Sequence, residues 1–234
     1  MNDFLLFSIF ILLSYSIQGQ SESLSSIHSF DDFVQRSSKS EWTKPKYRDS
    51  IAIDYRGLTL NEDISTRQIR VSCKLANTSL EAILSAIQDQ KKVVCWNETI
   101  CEAQLLSDSS GTWVTHHLFD IPYPFPKLDL VSEYNMYTKE GVHYVNSISV
   151  PTYIPEVPDV RRELYSYSQW EIKPSGQGQF DVAFSVITLA SSAIPKFLKD
   201  PIVQNTMFNS FENLSQMVSS KSAGRKENGE CEFD

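Results

Sequence analysis

Adjacent histidines, His116 and His117, and four cysteines, Cys73, Cys95, Cys101 and Cys231, are the residues best suited by type to hold a metal, move a proton or act as a nucleophile. Around the histidines the chain reads TWVTHHLF, a strand pattern in which consecutive side chains leave opposite faces, so the two rings cannot easily share one ion. An inward-pointing His117 then reads as a core histidine bonded to a neighbour in preference to a ligand contact. No CxxC spacing accompanies the cysteines, and no metal site is expected. Cys73 alternates with apolar positions as a small buried hydrophobe, whereas Cys95 and Cys101 flank WNETI and could bridge. Four thiols in an exported chain allow three complete connectivities, and spacing does not choose among them.

Other chemistry lacks a pattern to carry it. The chain has no G-x-S-x-G elbow, H-E-x-x-H helix, P-loop or dinucleotide fingerprint, and Gly176-Gln-Gly178 reads as a hairpin turn. Glu133 and Glu163 lie in strand-like segments without a partner at defined spacing, which places them on an outward face. No catalytic residue, metal or cofactor is therefore expected. The net charge of -8, with no basic run longer than a dipeptide, provides no footprint for a phosphate backbone and excludes nucleic acid as the expected partner.

The elements that must position these side chains follow from periodicity. SFDDFVQRSSKSEW suggests a short helix with Ser29 or Asp31 near its start, and Ile51–Arg56 a first strand. In RQIRVSCKL, Ile69, Val71, Cys73 and Leu75 alternate with polar residues, as in a sheet wet on one face. Thr78-Ser-Leu-Glu81 has the spacing of a capping box, opening a helix with Leu80, Ile83, Leu84 and Ile87 on one face and Lys91 and Lys92 in its solvated last turn. From about Glu102 the chain reads as successive strands with short connections, an antiparallel meander. The proline-rich IPYPFPKLDL is a rigid extended link between two of them. Asp200-Pro201 supplies an N-cap and a first-turn proline for a long amphipathic helix with Val203, Met207, Phe211, Leu214 and Met217 on its apolar face.

This order divides the chain into a signal peptide over 1–20, a linker and short helix over 21–41, one domain over 42–219 and a disordered tail over 220–234. The apolar run from Phe4 to Ile17 is shorter than the roughly 20 residues a spanning helix needs, so export to the periplasm or exterior is expected, although Asp3 stands where a basic residue is usual. After export, Asn77, Asn97 and Asn213 would be potential glycosylation acceptors, Asn213 being disfavoured by its helix.

The arrangement is α+β, and it resembles the START (steroidogenic acute regulatory protein-related lipid-transfer) domains of the Bet v 1-like, helix-grip superfamily. The resemblance runs from about Trp42 to Val218 and is carried by EWTKPKYRDSIAIDYR, TSLEAI, VVCWNETICEAQLL, TWVTHHLFDIPYPFPKLDLVSEY, SYSQWEIKPSGQGQFDVAFSV and AIPKFLKDPIVQNTMFNSFENL in that order. It implies a curved antiparallel sheet wrapped around a long C-terminal helix, the helix acting as a movable lid over a cavity for a hydrophobic small molecule or lipid. It also implies a monomer that meets membranes transiently. The family's prolines precede an Arg-Asp pair, whereas this chain has Leu128 before Asp129. Sterol-binding members carry a buried acid and base where this chain has His117 and Tyr134, which points to a ligand of low polarity or one that accepts hydrogen bonds from imidazole and phenol. Strand parity and helix face select Trp113, His117, Tyr134, Met136, Val203, Met207 and Phe211 as cavity contacts. Two rival readings are a helix-grip cyclase, dehydratase or hydrolase using a polar pair such as His117 with Tyr134, and a ligand-free interaction module with a filled core.

Overall fold

Alternating and helical periodicities become elements in the expected order in the computed structural model, which describes residues 24, 26–121, 123, 125–189, 196–219, 223–225 and 231–233. The expected signal peptide lies outside the described residues. The elements are α1 (Phe30–Arg36), β1 (Ser38–Lys39), β2 (Lys46–Arg48), β3 (Ile51–Thr59), β4 (Ser65–Ala76), α2 (Leu80–Gln88), α3 (Gln90–Trp96), β5 (Ile100–Ser109), β6 (Thr112–Phe119), β7 (Leu128–Lys139), β8 (Val142–Ser149), β9 (Arg161–Arg162), β10 (Ser166–Gly176), β11 (Gln179–Thr188), α4 (Lys196–Ser219), β12 (Ala223–Arg225) and β13 (Cys231–Phe233).

One large curved sheet runs in the order β1-β3-β4-β11-β10-β8-β7-β6-β5, with β2 paired to β3 and β9 to β7. Its ladders are antiparallel except for β7–β9, where Leu128 and Asp129 run parallel to Arg161 and Arg162. Tight hairpins join the meander. Ser110-Gly111 and Glu140-Gly141 each adopt positive φ at both central positions, the turn whose twist matches the flanking strands. Helices α2 and α3 carry the chain from β4 to the far edge at β5, and α4 lies across β3 and β4 and against both helices.

Local chemistry moved several boundaries. The N-cap of α2 is Ser79, whose hydroxyl accepts from the Ala82 amide, and not Thr78. Asp89 then breaks the helix by capping a new one, its carboxylate accepting from the Lys91 amide at 3.0 Å. Lys91 and Lys92 therefore lie in the first turn of α3, and Lys92 Nζ donates back to Ser85 Oγ at 2.8 Å. Helix α4 begins at Lys196, so Pro201 lies inside it and removes one backbone hydrogen bond from the opening turn. Asp200 is freed from capping and binds Arg67 of β4 through both oxygens, at 2.7 and 3.0 Å.

Both ends of the chain hold more structure than expected. Leu24, Ile27, Phe30 and Phe33, in the segment read as a linker and short helix, pack with Leu58, Ile64, Tyr167 and Ile187 on the convex face of the sheet. The tail expected to be disordered contains the antiparallel ladder of β12 and β13, with β12 against α3. IPYPFPKLDL joins β6 to β7 without regular structure through Lys127, with Tyr123 almost fully exposed; Pro122 and Pro124 lie outside the described residues.

Candidate functional site

Cross-strand register sorts the concave face into rows, because directly paired residues point the same way. One row reads Val145, Trp170, Phe184, Val71 and Ile53 across β8, β10, β11, β4 and β3. Against it and the rows below pack Phe208, Phe211, Leu214, Met217 and Val218 of α4 in one apolar cluster. Phe211 stacks on Trp170 with ring centroids 5.6 Å apart and also meets Trp96 and Phe184, so this floor is solid.

The next row up differs. It runs Trp113, Tyr134, Ser147, Ser168, Val186, Ile69 and Tyr55. Trp113 and Tyr134 stack at 5.0 Å and 8°. Tyr134, Val186 and Ile69 are only half-buried, as are Phe184 below and Val203 and Met207 in the overlying half of α4. Tyr134 keeps some accessible surface although it packs against the core cluster. Its burial raises the phenol pKa, while nearby Thr115, Ser147 and Ser132 pull it down.

Above lies a hydroxyl-rich row of Thr115, Ser132, Ser149 and Ser166. Thr115 Oγ1 and Ser132 Oγ are buried, without a partner at strict hydrogen-bond geometry, and both act on the Tyr134 hydroxyl. Trp113 Nε1 and the Tyr55 hydroxyl, near Gln204 but not bonded to it, are likewise unpartnered. Ser147 and Ser168 satisfy one another at 2.7 Å. Each buried, unpaired polar group costs about 1–3 kcal/mol, and these four are spread along the face, Trp113, Thr115 and Ser132 on β6 and β7 and Tyr55 on β3.

His117 shares this face but is already engaged, its Nε2 2.7 Å from Gln90 Oε1 of α3. Burial, with a smaller effect from His116, pulls its pKa down to about 4 and leaves the ring neutral near pH 7. It stands opposite Leu130, four residues from Tyr134 along β7, or about 13 Å. The polar pair suggested for proton transfer is not brought together. Met136 has the right parity, opposite Val145, but is 38% exposed where β7 extends into solvent. Thus Trp113 and Tyr134 meet, Val203 and Met207 overlie, Phe211 forms the floor, and His117 and Met136 sit apart at opposite ends.

His116 faces the convex side and contacts Asp129 at 2.9 Å. Asp129, fully buried, takes a two-pronged interaction from Arg162 at 2.9 and 2.8 Å, and Arg162 also donates to the carbonyls of Pro151, Ile154 and Pro155. Beside Leu128, the buried carboxylate thus finds its guanidinium on β9. Sequence reasoning missed Arg162 because its partner lies 33 positions away; the Arg161-Arg162 pair was the available signal. Glu163 is buried, contrary to the outward position expected for it, because the same β9 connection folds over the end of the sheet; Glu133 is exposed.

Cysteine placement overturns the Cys95–Cys101 bridge. Cys95 is held in a disulfide while Cys101 is an exposed free thiol and Cys73 a buried one, its pKa pushed up to about 12 by burial. Among the described residues no group of three or more His, Cys, Asp or Glu side chains is placed to hold a metal ion. A groove of about 580 Å³ along α2, lined by Leu80, Glu81, Leu84, Ser85, Gln88 and Asp89, is open to solvent and lacks the enclosure of a small-molecule site.

Polar contacts fasten α4 from outside. Besides Arg67–Asp200, Lys46 binds Gln204 at 2.9 Å, Arg48 binds Asn209 and Asn205 at 2.6 and 3.0 Å, and Ser210 Oγ accepts from the Glu98 amide. These contacts hold the helix in place.

No family model matches the chain. An uncharacterized protein of Pseudomonas aeruginosa is 28% identical over 135 residues, which cover 57% of this chain and 67% of that protein. Among solved structures, a fragment of a STAR-related lipid transfer protein from Xanthomonas axonopodis aligns with a TM-score of 0.65 at 18% identity, covering 78% of this chain and 98% of its own. Human StAR-related lipid transfer protein 5 aligns at 0.62 and 13% identity, covering 88% and 97%. At such identities the likeness establishes the architecture.

Proposed function

With a START-like, Bet v 1-like helix-grip fold as the premise, we propose that the protein binds a hydrophobic small molecule of the lipid class between the upper concave face and the first half of α4. One observation carries this reading. Apolar side chains of the upper row, Tyr134, Val186 and Ile69, together with Val203 and Met207 above them, keep accessible surface where a filled core would leave none. Burying about 300 Å² of lipid there at about 25 cal/mol per Å² would contribute about 7–8 kcal/mol before ordering and desolvation are subtracted. The neighbours in fold are named as lipid transfer proteins, which supports the same class.

In this reading α4 is the lid, fastened at its start by Arg67–Asp200, and the ligand passes during transient contact of a monomer with a membrane. Work after export is supported by the apolar run Phe4–Ile17 and by the disulfide at Cys95. The test is organic extraction of the purified protein followed by mass spectrometry, repeated on Met207→Trp, which fills the space below the helix. We expect a co-purifying lipid in the native protein and its loss from the variant. Equal occupancy in both would remove α4 as the roof and the reading with it.

A further inference from the structure

On the convex face, away from α4, directly paired residues form one row from β7 to β2. Tyr137, Tyr144 and Glu171 are followed by Ala183, Ser72 and Ala52, and Tyr47 closes the row. Both ends are aromatic and open, Tyr137 being 38% and Tyr47 70% exposed. Ala183, Ser72 and Ala52 are small and partly exposed, so the row forms a shallow track between its ends. From Tyr144 to Tyr47 it crosses five strand spacings, about 24 Å, the length of about seven extended residues.

The Tyr137 and Tyr144 rings stack with centroids 5.0 Å apart and 14° between their planes. The Tyr137 hydroxyl donates to Asp31 Oδ2 at 3.4 Å, and Gln169 Nε2 donates to Asp31 Oδ1 at 3.0 Å. Burial first, then the Glu171, Asp31 and Glu140 carboxylates, raises the Tyr144 phenol pKa, so the field at this ring is negative. Among the described residues none of these three carboxylates is in an ion pair. Arg70, the cation acting on Glu171, is already held by both oxygens of Asp54, and Lys139 and Lys173 stand in solvent on the border away from Asp31. Asn146, whose side chain acts on the Tyr137 hydroxyl, is 7% exposed and leaves its Oδ1 unpartnered, a further unmatched negative pole on this face. A stacked aromatic pair among carboxylates without counter-ions favours a guanidinium or ammonium. The track leading away from it favours one carried on an extended main chain.

We propose that this convex row is a docking surface for an extended, basic segment of a partner protein, with an arginine or lysine of that segment over Tyr144 and its main chain along Ala183 and Ser72 towards Tyr47. The row and the space under α4 lie on opposite faces of the sheet, so docking needs no lipid.

Fluorescence anisotropy on the purified full chain tests this with a labelled heptapeptide, Arg-Arg-Thr-Val-Ser-Val-Thr, and the same peptide with isosteric, uncharged citrulline in place of arginine. The arginine peptide is expected to bind roughly tenfold more tightly than the citrulline one. Glu171→Gln and Tyr144→Leu should each weaken it roughly fivefold. Tyr144→Phe, which keeps the ring, and Glu102→Gln, the same charge change on exposed β5, should leave it within about twofold. Ser72→Tyr, which fills the track, should weaken the heptapeptide roughly fivefold and leave N-acetylargininamide unaffected. Equal binding of the two peptides, no binding below about 1 mM, or unchanged affinity in Glu171→Gln, Tyr144→Leu or Ser72→Tyr would each overturn the proposal. So would N-acetylargininamide binding as tightly as the heptapeptide, which marks a site for a small cation and not for a protein.

Discussion

On the convex face, Phe33, Leu58, Tyr167 and Ile187 are between 0% and 2% exposed, and the Phe33 and Tyr167 rings meet at 5.3 Å. On the upper concave face, equally apolar Ile69, Val186, Val203 and Met207 stay half-buried, and four polar atoms nearby have no partner. The same central strands, β10 and β11, supply both sides. The difference lies in the cover. A short N-terminal segment moulds itself to the convex face residue by residue, whereas the 24-residue helix α4, with Pro201 inside it, buries Phe208, Phe211, Leu214, Met217 and Val218 and leaves Val203 and Met207 partly exposed. A helix laid across a curved sheet packs unevenly along its length, and the side chains at its looser end keep accessible surface.

The contrast can be broken most forcefully on the solid side. Phe33→Ala should cost about 3–5 kcal/mol in denaturant unfolding, because its site cannot collapse; a loss below about 1 kcal/mol would mean that the convex face is not tightly packed. Acid should act next most strongly, through His117. An unfolded histidine titrates near 6.5 and the folded His117 near about 4, so the stability contributed by the neutral ring is fully present above 6.5 and lost as pH falls through 4. The native protein should lose about 3 kcal/mol more than His117→Gln between pH 7 and pH 3, measured as a difference between parallel denaturant titrations.

On the open side the changes are gentler. Met207→Trp should alter unfolding free energy by less than about 1.5 kcal/mol, in contrast to the 1–3 kcal/mol typical of overpacking a filled core; a larger penalty would show that no room exists under the helix. Smallest of all, Arg67→Gln removes a half-exposed ion pair and should cost about 0.5–1 kcal/mol by thermal melting. Its effect should appear instead as faster exchange of bound lipid in a stopped-flow dye-release measurement.

Much of the site was legible because strand parity and helix face are local properties. Trp113, His117 and Tyr134 do share the concave face, and Met207 and Phe211 do face the sheet from α4. Parity says which way a side chain points but not whether anything covers it, which is why Met136 has the right orientation and stands in solvent. The signals that failed were those in which neighbouring polar groups compete. Ser79 outcompetes Thr78 as a cap, Asp89 starts a second helix, and Asp200 bonds to Arg67 in place of capping α4.

By itself the sequence determined the elements, their order and their apolar faces, since backbone preference and periodicity act over a few residues. Tertiary structure alone decided that Thr115 stands opposite Ser132, that Arg162 finds Asp129, and that the N-terminal segment covers one face while α4 packs on the other. These depend on register between distant strands and on the volume left when rigid elements meet. Neither quantity is written in any short stretch of chain, because each is fixed only when the whole sheet has curved and closed.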